Sequence, residues 1–340
     1  MKAIGIILAG GNNNRMKELT AKRAVPALPV AGSFRSIDFA LSSMSNSHIQ
    51  TVAVLTQYNA RSLNEHLSSS KWWNFGRKQG GLFLFTPTVT ADNSDWYRGT
   101  ADAMYQNIDF LKRRHEPYVI ISSGDCVYKL DFNRVLDFHI EKKSDITVVC
   151  KDMMYNDDVS RFGVVRMDDE SRITEFDEKP IEALSNTIST GIYVIRRRQL
   201  IELLEAAAEE NRFDFVNDIL VRYKNVKKIY GYKINSYWNN IADIDAYFKT
   251  NMDFLRPDVR SYFFREEPTI CSKVDDLPPA KFNPGSDISN SLVSSGCIIN
   301  GSVEDSVLFK QVFVGKNTTV KNCVILNDVY IGDNVHLENC

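Results

Sequence analysis

The residues best suited to chemistry lie directly after short apolar segments, where buried strands would end. Gly10 and Gly11 follow the first such segment, and Arg15 comes soon after them. A glycine turn at the carboxyl end of a strand lets backbone N–H groups approach a phosphate closely. Asp125 follows another apolar segment, at the edge where ligand crevices open in parallel sheets. A pair of glycines alone also fits an ordinary tight turn, so a phosphate site here depends on the elements around it.

Short apolar segments alternate with amphipathic ones over residues 1–255, and the apolar ones are rich in valine and isoleucine. The clearest amphipathic segment begins at Thr100, a suitable N-cap, and keeps helical spacing until Pro117 ends it. This alternation predicts an α/β domain with an open, mostly parallel, Rossmann-like sheet. The predicted strands are Ala3–Leu8, Thr51–Leu55, Tyr118–Ser122 and Ile146–Cys150, and Leu200–Ala208 is a further predicted helix.

The pattern changes after residue 255. Residues 256–285 contain five prolines and no sustained periodicity, which predicts a linker. From 286 to 340 apolar residues recur every six positions, as at Val314, Val320 and Leu326. This period is typical of a parallel β-helix built from hexapeptides, and the alternative is a twisted antiparallel sheet. The repeat reaches Cys340 without a polar capping segment, so we expect either a truncated sequence or another surface over the open end.

Composition excludes several classes of protein. The formal net charge of −2 gives no electrostatic case for binding nucleic acid or an anionic membrane. No apolar run approaches the ~20 residues of a membrane span. The N-terminal apolar run is short and ends in Gly10-Gly11, which fits a buried strand better than a signal peptide. Six scattered cysteines without a C-x-x-C pair argue against a zinc ribbon or redox motif and fit a reducing, cytoplasmic compartment.

A series of motifs in matching order gives the chain a family resemblance. The glycine turn with Arg15 is followed by Lys22–Ala27, and later come Phe34–Ser42, Thr56–Tyr58, Trp96–Ala103, Ser123–Asp125, Phe176–Pro180, Thr190–Tyr193 and Asp214-Phe215. Over essentially its whole length the chain resembles the glucose-1-phosphate adenylyltransferase (ADP-glucose pyrophosphorylase) family. That family joins glucose-1-phosphate to ATP and releases pyrophosphate. The resemblance implies a GT-A-like nucleotidyltransferase domain, followed by a left-handed parallel β-helix.

The chain departs from this family at positions that carry charge. Active members have Arg at the position of Asn12, Gly at that of Asn13 and Lys at that of Val25. The resemblance makes Asp125 the catalytic, metal-binding aspartate, but its partner carboxylate is replaced by Asn240. Mg²⁺, the family's cofactor, prefers anionic oxygen, so we expect weakened binding. Asp243 offers a nearby carboxylate, but its spacing on a following helix points it elsewhere.

The remaining substrate positions match the family. The sugar-phosphate contacts implied by the resemblance are Glu178, Lys179, Thr190, Gly191 and Asp214. Gln57 and Gly99 match adenine-side positions, and the other expected substrate-binding residues are Gly10, Gly11, Arg15 and Thr100. ATP and glucose-1-phosphate, or a related sugar phosphate, are therefore the expected ligands. A lysine associated with activator binding in some members is replaced here by Ser33.

These features together predict a regulatory subunit with weak activity of its own, resembling the D-type subunit of bacterial glycogen biosynthesis. Its expected partner is a catalytic adenylyltransferase paralogue, in a homo- or hetero-tetramer by resemblance. The first alternative is an active adenylyltransferase. Two others are an acyltransferase on the β-helix, for which His336 is the available base, and a structural protein without a ligand.

Overall fold

The structure of the chain is a computed structural model, which describes residues 2–11, 14–76, 80–89, 95–154 and 157–340. The helices of the described part are α1 (Ser36–Asn46), α2 (Arg61–Leu67), α3 (Thr100–Tyr105), α4 (Ile108–Lys112), α5 (Phe132–Glu141), α6 (Arg197–Glu209), α7 (Ile244–Asp253) and α8 (Pro257–Phe264). Short 3₁₀ turns cover Asn14–Thr20, Val25–Ala27 and Ser70–Trp73, and a π-helical turn covers Val216–Val221.

The strands before residue 241 are β1 (Ala3–Ala9), β2 (Pro29–Val30), β3 (Phe34–Arg35), β4 (Thr51–Thr56), β5 (Gly81–Phe85), β6 (Tyr118–Ser123), β7 (Cys126–Tyr128), β8 (Ile146–Asp152), β9 (Gly163–Met167), β10 (Ile173–Glu178), β11 (Thr187–Arg196), β12 (Ile229–Lys233) and β13 (Trp238–Asn240). Nine of them form one mixed sheet in the order β10-β9-β11-β6-β1-β4-β5, with β8 between β11 and β12. All four predicted strands are present.

The strands of the sheet are parallel in the part that carries the Gly10-Gly11 turn and Asp125. Strands β5, β4, β1 and β6 pair in parallel, whereas β11 runs antiparallel to both β6 and β8. Alternate residues of β1 enter two different cores, since Ile7 packs with α1 on one face and Ile6 with α3 on the other. Burial of both faces explains why these strands read as continuous apolar runs.

The helix predicted from Thr100 is interrupted. It divides into α3 and α4 at Gln106 and Asn107. The side-chain amide of Asn107 donates to the Ala103 carbonyl and to the Tyr97 hydroxyl, both at 2.9 Å. Asparagine side chains compete in this way with the helical hydrogen bonds of the backbone, which accounts for the break.

The stretch 256–285 is more structured than the expected linker. It contains α8, in which Val259 and Phe263 are buried, and the strand β14 (Lys281–Phe282). The ring of Phe263 lies 5.3 Å from those of Phe39 and Phe254. Pro257 stands at the start of α8, where a missing N–H breaks no helical hydrogen bond. Pro257 therefore marks a helix start, and residues 265–280 of the expected linker form neither helix nor strand.

The C-terminal strands form a parallel β-helix. They are β14, β15 (Asp287–Ser289), β16 (Leu292–Val293), β17 (Ile298–Ile299), β18 (Ser302–Glu304), β19 (Val307–Leu308), β20 (Phe313–Val314), β21 (Thr319–Lys321), β22 (Val324–Ile325), β23 (Tyr330–Ile331) and β24 (His336–Glu338). Three parallel stacks result: β14-β17-β20-β23, β15-β18-β21-β24 and β16-β19-β22. Parallel pairing excludes the antiparallel alternative, and Val303, Val314 and Val320 fill the interior as expected.

The β-helix packs directly against the α/β domain. Leu255, at the end of α7, lies in one apolar cluster with Val307 and Phe309 of the β-helix. Leu292, Val324 and Leu326 contact a second cluster, which contains Phe254 and Phe263. The two parts therefore share a core.

Candidate nucleotide and sugar-phosphate site

A cleft of about 490 Å³ opens at the carboxyl ends of β1, β4 and β6. Its walls carry most of the nucleotide-side positions and the central aspartate. The expected residues that line it are Gly10, Gly11, Val25, Gln57, Gly99, Thr100 and Asp125. The parallel part of the sheet thus brings these positions to one edge, as ligand sites in such folds require.

Two glycines are needed because other atoms approach closely. A Cβ on Gly10 would lie 3.2 Å from Cβ of Gln57, and one on Gly99 would lie 2.4 Å from the Phe213 carbonyl oxygen. A Cβ on Gly11 would meet nothing within 4 Å. Gly11 therefore borders open space, where a phosphate can reach the backbone.

The phosphate-side positions are only partly described. Asn12 and Asn13 lie outside the described residues. Arg15 is exposed in the following 3₁₀ turn. Val25 is 4 % exposed and lines the cleft, so that an apolar side chain occupies the position of the family's lysine.

Gln57 and Thr100 use their polar groups within the protein. The Gln57 amide accepts from the Tyr97 N–H at 2.8 Å and donates to the Tyr97 carbonyl at 3.3 Å. The Thr100 hydroxyl accepts from the Phe215 N–H at 2.9 Å. Both side chains therefore fix the backbone of the cleft wall that they line.

Asp125 and Asn240 lie side by side. In the antiparallel pair of β7 and β13, Asn240 is opposite Cys126, and the Ile241 N–H donates to the Asp125 carbonyl at 2.9 Å. The Ser123 hydroxyl donates to Oδ1 of Asp125 at 2.5 Å. The structure thus joins the two positions that the family resemblance assigned to metal binding.

The side-chain amide of Asn240 interacts with two neighbouring residues. Its Oδ1 accepts from the Ala242 N–H at 2.9 Å, and its Nδ2 lies 3.5 Å from Sγ of Cys126. Burial raises the pKa of the Cys126 thiol well above its usual value, so the thiol stays neutral. Asn240 and Cys126 therefore add no negative charge beside Asp125.

Asp243 does not replace the missing carboxylate. Its Oδ1 accepts from the Ala246 N–H at 2.7 Å, which caps α7, and its Oδ2 pairs with the Arg161 guanidinium. Among the described residues, no group of three or more His, Cys, Asp or Glu side chains is arranged to hold a metal ion. The residues present do not fit the two-carboxylate Mg²⁺ site that the resemblance implies.

The residues expected to contact the sugar phosphate lie next to the part of the cleft that contains Asp125. Gly191 has φ +74°, and a Cβ on it would lie 3.5 Å from Cβ of Ser123, which connects these positions to the cleft. The Thr190 hydroxyl is buried and donates to the Val149 carbonyl at 2.8 Å, so it supports the strand. The carboxylate of Asp214 accepts from the Asn217 N–H at 2.7 Å.

Glu178 and Lys179 form the charged part of this side. Lys179 Nζ lies 3.3 Å from Oε1 of Glu178, and its side chain is 64 % exposed against 17 % for Glu178. Burial raises the pKa of the Glu178 carboxyl, although the Lys179 charge opposes that shift. A partly buried carboxylate beside an exposed ammonium is suited to bind sugar hydroxyls and a phosphate.

Sequence reasoning missed Arg161 and the ring pair of Tyr58 and Trp96. The two rings are parallel within 11° with centroids 6.0 Å apart, and Tyr58 lines the cleft. Both aromatic residues lie inside motifs already noted, which was an available signal. Arg161 lies in a loop without periodicity, and nothing in the sequence pairs it with Asp243.

Ser33, at the activator-loop position, lies at a separate cavity of about 150 Å³ between the α/β domain and the β-helix. Arg35, Lys273 and Lys310 also line it, and Lys310 pairs with Asp275 at 2.8 Å. The absence of the lysine at residue 33 removes one positive charge from this cavity.

The described helices are all too short or too polar to cross a membrane. The nucleotidyl transferase family model matches residues 4–256, and that of the GlmU-like C-terminal hexapeptide repeat matches 278–340. The glucose-1-phosphate adenylyltransferase of Clostridium novyi is 38% identical, over 93% of this chain and 84% of its own length.

Two further relatives carry the same name. The Pseudothermotoga lettingae protein is 39% identical over 94% of this chain and 76% of its own length. The Bacillus subtilis protein is 37% identical over 94% of this chain and 84% of its own length. With a fold and a cleft that agree with this similarity, the chain belongs to the glucose-1-phosphate adenylyltransferase family of nucleotidyl transferases.

Proposed function

We propose that this chain binds ATP and glucose-1-phosphate, or a related sugar phosphate, and has weak turnover of its own, acting as a regulatory subunit. One observation carries the proposal: the neutral Asn240 is paired with Cys126, the residue after Asp125, and Asp243 is paired with Arg161. Phosphoryl transfer depends on positive charge at the phosphates, which metal ions and arginines or lysines provide. At this site one of the two carboxylates expected to bind the metal ion is missing. Val25 is apolar and provides no positive charge for the phosphates.

The size of the expected rate losses favours a site that is almost inactive over one that is only slower than that of the active family members. Loss of one preorganised charge-stabilising group costs roughly 10²–10³ in rate. An arginine in phosphoryl transfer is worth roughly 10³–10⁵. Asn12, Val25 and Asn240 each replace a charged residue of the active family members, and the resemblance assigns all three positions to one site. Even far from additive, they leave little rate enhancement.

The second candidate is an active glucose-1-phosphate adenylyltransferase. The names of the relatives favour it, because the three relatives above bear that name and none is described as a regulatory subunit. The regulatory proposal rests on the site residues alone. The partner paralogue, the tetramer and the cytoplasmic location belong to the same proposal and follow from resemblance.

The position of His336, the candidate base, does not support the alternative of an acyltransferase site on the β-helix. His336 lies in the last strand with its side chain 66 % exposed, 3.6 Å from Glu338. The cleft at Asp125 is in the other domain, so the proposal remains with nucleotidyl transfer.

The deciding experiment is steady-state synthesis of ADP-glucose from ATP, Mg²⁺ and glucose-1-phosphate. The chain is assayed alone and mixed with a catalytic adenylyltransferase of the same organism. We expect almost no product from the chain alone, and altered activity or activator response in the mixture. Turnover by the chain alone near the ~10 s⁻¹ median of enzymes would overturn the proposal and establish the active enzyme. A mixture that equals the catalytic subunit alone would exclude a regulatory role.

A further inference from the structure

The backbone of Lys179 is held in an unusual conformation by the neighbouring loop. Lys179 has φ +51°, in the left-handed region that a residue with a Cβ adopts at a cost in free energy. Its N–H donates to the Phe162 carbonyl at 3.1 Å, and Glu178 pairs with Gly163 in the β9–β10 ladder. Residues 157–162 therefore set the direction in which Lys179 leaves its strand.

This loop is in turn attached to the segment 238–243. The Arg161 guanidinium pairs with the Asp243 carboxylate and lies 5.1 Å from the centre of the Phe162 ring. The Phe162 ring meets that of Trp238 edge-on at 5.7 Å. Two consecutive residues of the loop thus contact the segment that carries Asn240.

The attachment point is itself rigid. Asp243 caps α7, and Trp238 is 3 % exposed in β13. Strand β13 pairs with β7, which follows Asp125 directly. The loop is therefore anchored to the element that also positions the central aspartate.

The ion pair differs from the surface pairs nearby. The Arg161 and Asp243 side chains are 24 % and 23 % exposed, against 52 % and 42 % for Arg166 and Glu175 on the adjoining strands. Partly buried pairs are screened less by water and salt than exposed ones. Arg166 therefore provides a matched control, an arginine of the same neighbourhood in an exposed pair.

We propose that Arg161 is a positioning residue for sugar-phosphate binding: its ion pair with Asp243 fixes the 157–162 loop, and through Phe162 the loop sets the backbone of Lys179. The inference rests on the proposed function, in which Glu178 and Lys179 bind the sugar phosphate. It adds a residue that contacts no ligand and acts through Lys179. It also connects the sugar side of the site to the Asn240 side.

Calorimetry with glucose-1-phosphate and, separately, ATP tests the proposal on the full chain. Arg161→Gln and Asp243→Asn should each weaken glucose-1-phosphate binding about tenfold and leave ATP binding unchanged. Asparagine keeps the cap of α7, so that Asp243→Asn removes only the charge. The double variant should bind no worse than either single one, since both remove the same ion pair. Arg161→Lys should restore part of the affinity, and Arg166→Gln should have no effect.

Hydrogen exchange at the Lys179 amide separates this proposal from the proposed function. In Arg161→Gln the exchange should be faster, and in Arg166→Gln it should match the parent. An unchanged Lys179 amide, or equal losses for both ligands, would overturn the positioning role. If the parent chain binds no glucose-1-phosphate while Lys179 exchange responds as expected, the sugar-binding function fails and the structural connection stands.

Discussion

Asn240 stands opposite Cys126 in the pairing of β13 with β7, and Sγ of Cys126 lies 3.5 Å both from Nδ2 of Asn240 and from Oδ1 of Asp125. The substitution Asn240→Asp keeps the size of the side chain and adds a carboxylate on the strand that pairs with β7.

Restoring the charges together should restore some chemistry. Asn240→Asp or Val25→Lys alone should do little, since each leaves the other deficit in place. Val25 lines the cleft, so a lysine there can extend its ammonium into it. The triple variant Asn12→Arg, Val25→Lys, Asn240→Asp should gain about 100-fold or more in ADP-glucose synthesis, beyond the product of the single effects.

Asp125→Asn in the triple variant is the control, and it should remove the gain. A folded triple variant that binds sugar phosphate and still shows no turnover would place the defect elsewhere. The Asn13 turn, or a loop closure that needs the partner subunit, would then be the next candidate.

Lys179→Ala should weaken glucose-1-phosphate binding by about 10- to 150-fold, because one charge-assisted contact is worth about 1.5–3 kcal/mol. The side chain is largely exposed, so the variant should fold with an unchanged melting temperature. Calorimetry at neutral pH measures the effect. Lys224→Ala serves as the control, since Lys224 lies near the same strand, with its Nζ 3.5 Å from the Phe176 carbonyl. Equal binding by Lys179→Ala and the parent would make Lys179 a surface charge.

Gly99→Ala should destabilise the protein, whereas Gly11→Ala should not. The added methyl at Gly99 would lie 2.4 Å from a backbone oxygen, and that at Gly11 meets nothing within 4 Å. Overpacking of this kind costs about 1–3 kcal/mol, which thermal unfolding detects. Gly11→Ala should instead weaken ATP binding at constant melting temperature. Equal stability of the two variants would contradict the close approach at Gly99.

His139 should contribute to acid instability. It is 1 % exposed, and its Nδ1 lies 2.8 Å from the Thr147 hydroxyl. Burial, assisted by the charge of Arg196, lowers its pKa from 6.5 to about 4. The fold thus favours the neutral ring, so this stability is complete above pH 6.5 and is lost as the pH falls towards 4. The loss amounts to about 3 kcal/mol at most.

Urea unfolding of His139→Gln between pH 7 and 4 measures this contribution. The variant should be less stable than the parent at pH 7, and its stability should fall less steeply with acid. His115→Gln, at an exposed site, should keep the parent's slope. A parallel decline of His139→Gln and the parent would contradict the role of His139.

The features that were predicted best from the sequence are those that depend on a local pattern of apolar residues. The strands around Ile6 and Ile7 are apolar because both faces of the sheet are covered, and the six-residue period reflects the interior of the β-helix. The family resemblance supplied the pairing of Asp125 with Asn240. The residues alone place only Asp125 at the edge of the sheet.

Contacts between distant segments could not be predicted. The Arg161–Asp243 pair joins a loop to a helix start far along the chain, and no periodicity marks either residue. The burial of Phe263 was not predicted, because the prolines around α8 indicated a linker. Asn107 interrupts a helix through side-chain hydrogen bonds that its spacing does not reveal.

The core shared by the two parts of the chain should make them unfold as one cooperative unit. Leu255 packs on Val307 and Phe309, and the rings around Phe263 bridge α1, α7 and α8. Melting of the α/β domain would expose apolar surface of the β-helix at the same time. A nucleotide bound in the cleft should therefore protect the C-terminal coils from proteolysis, although it touches none of them.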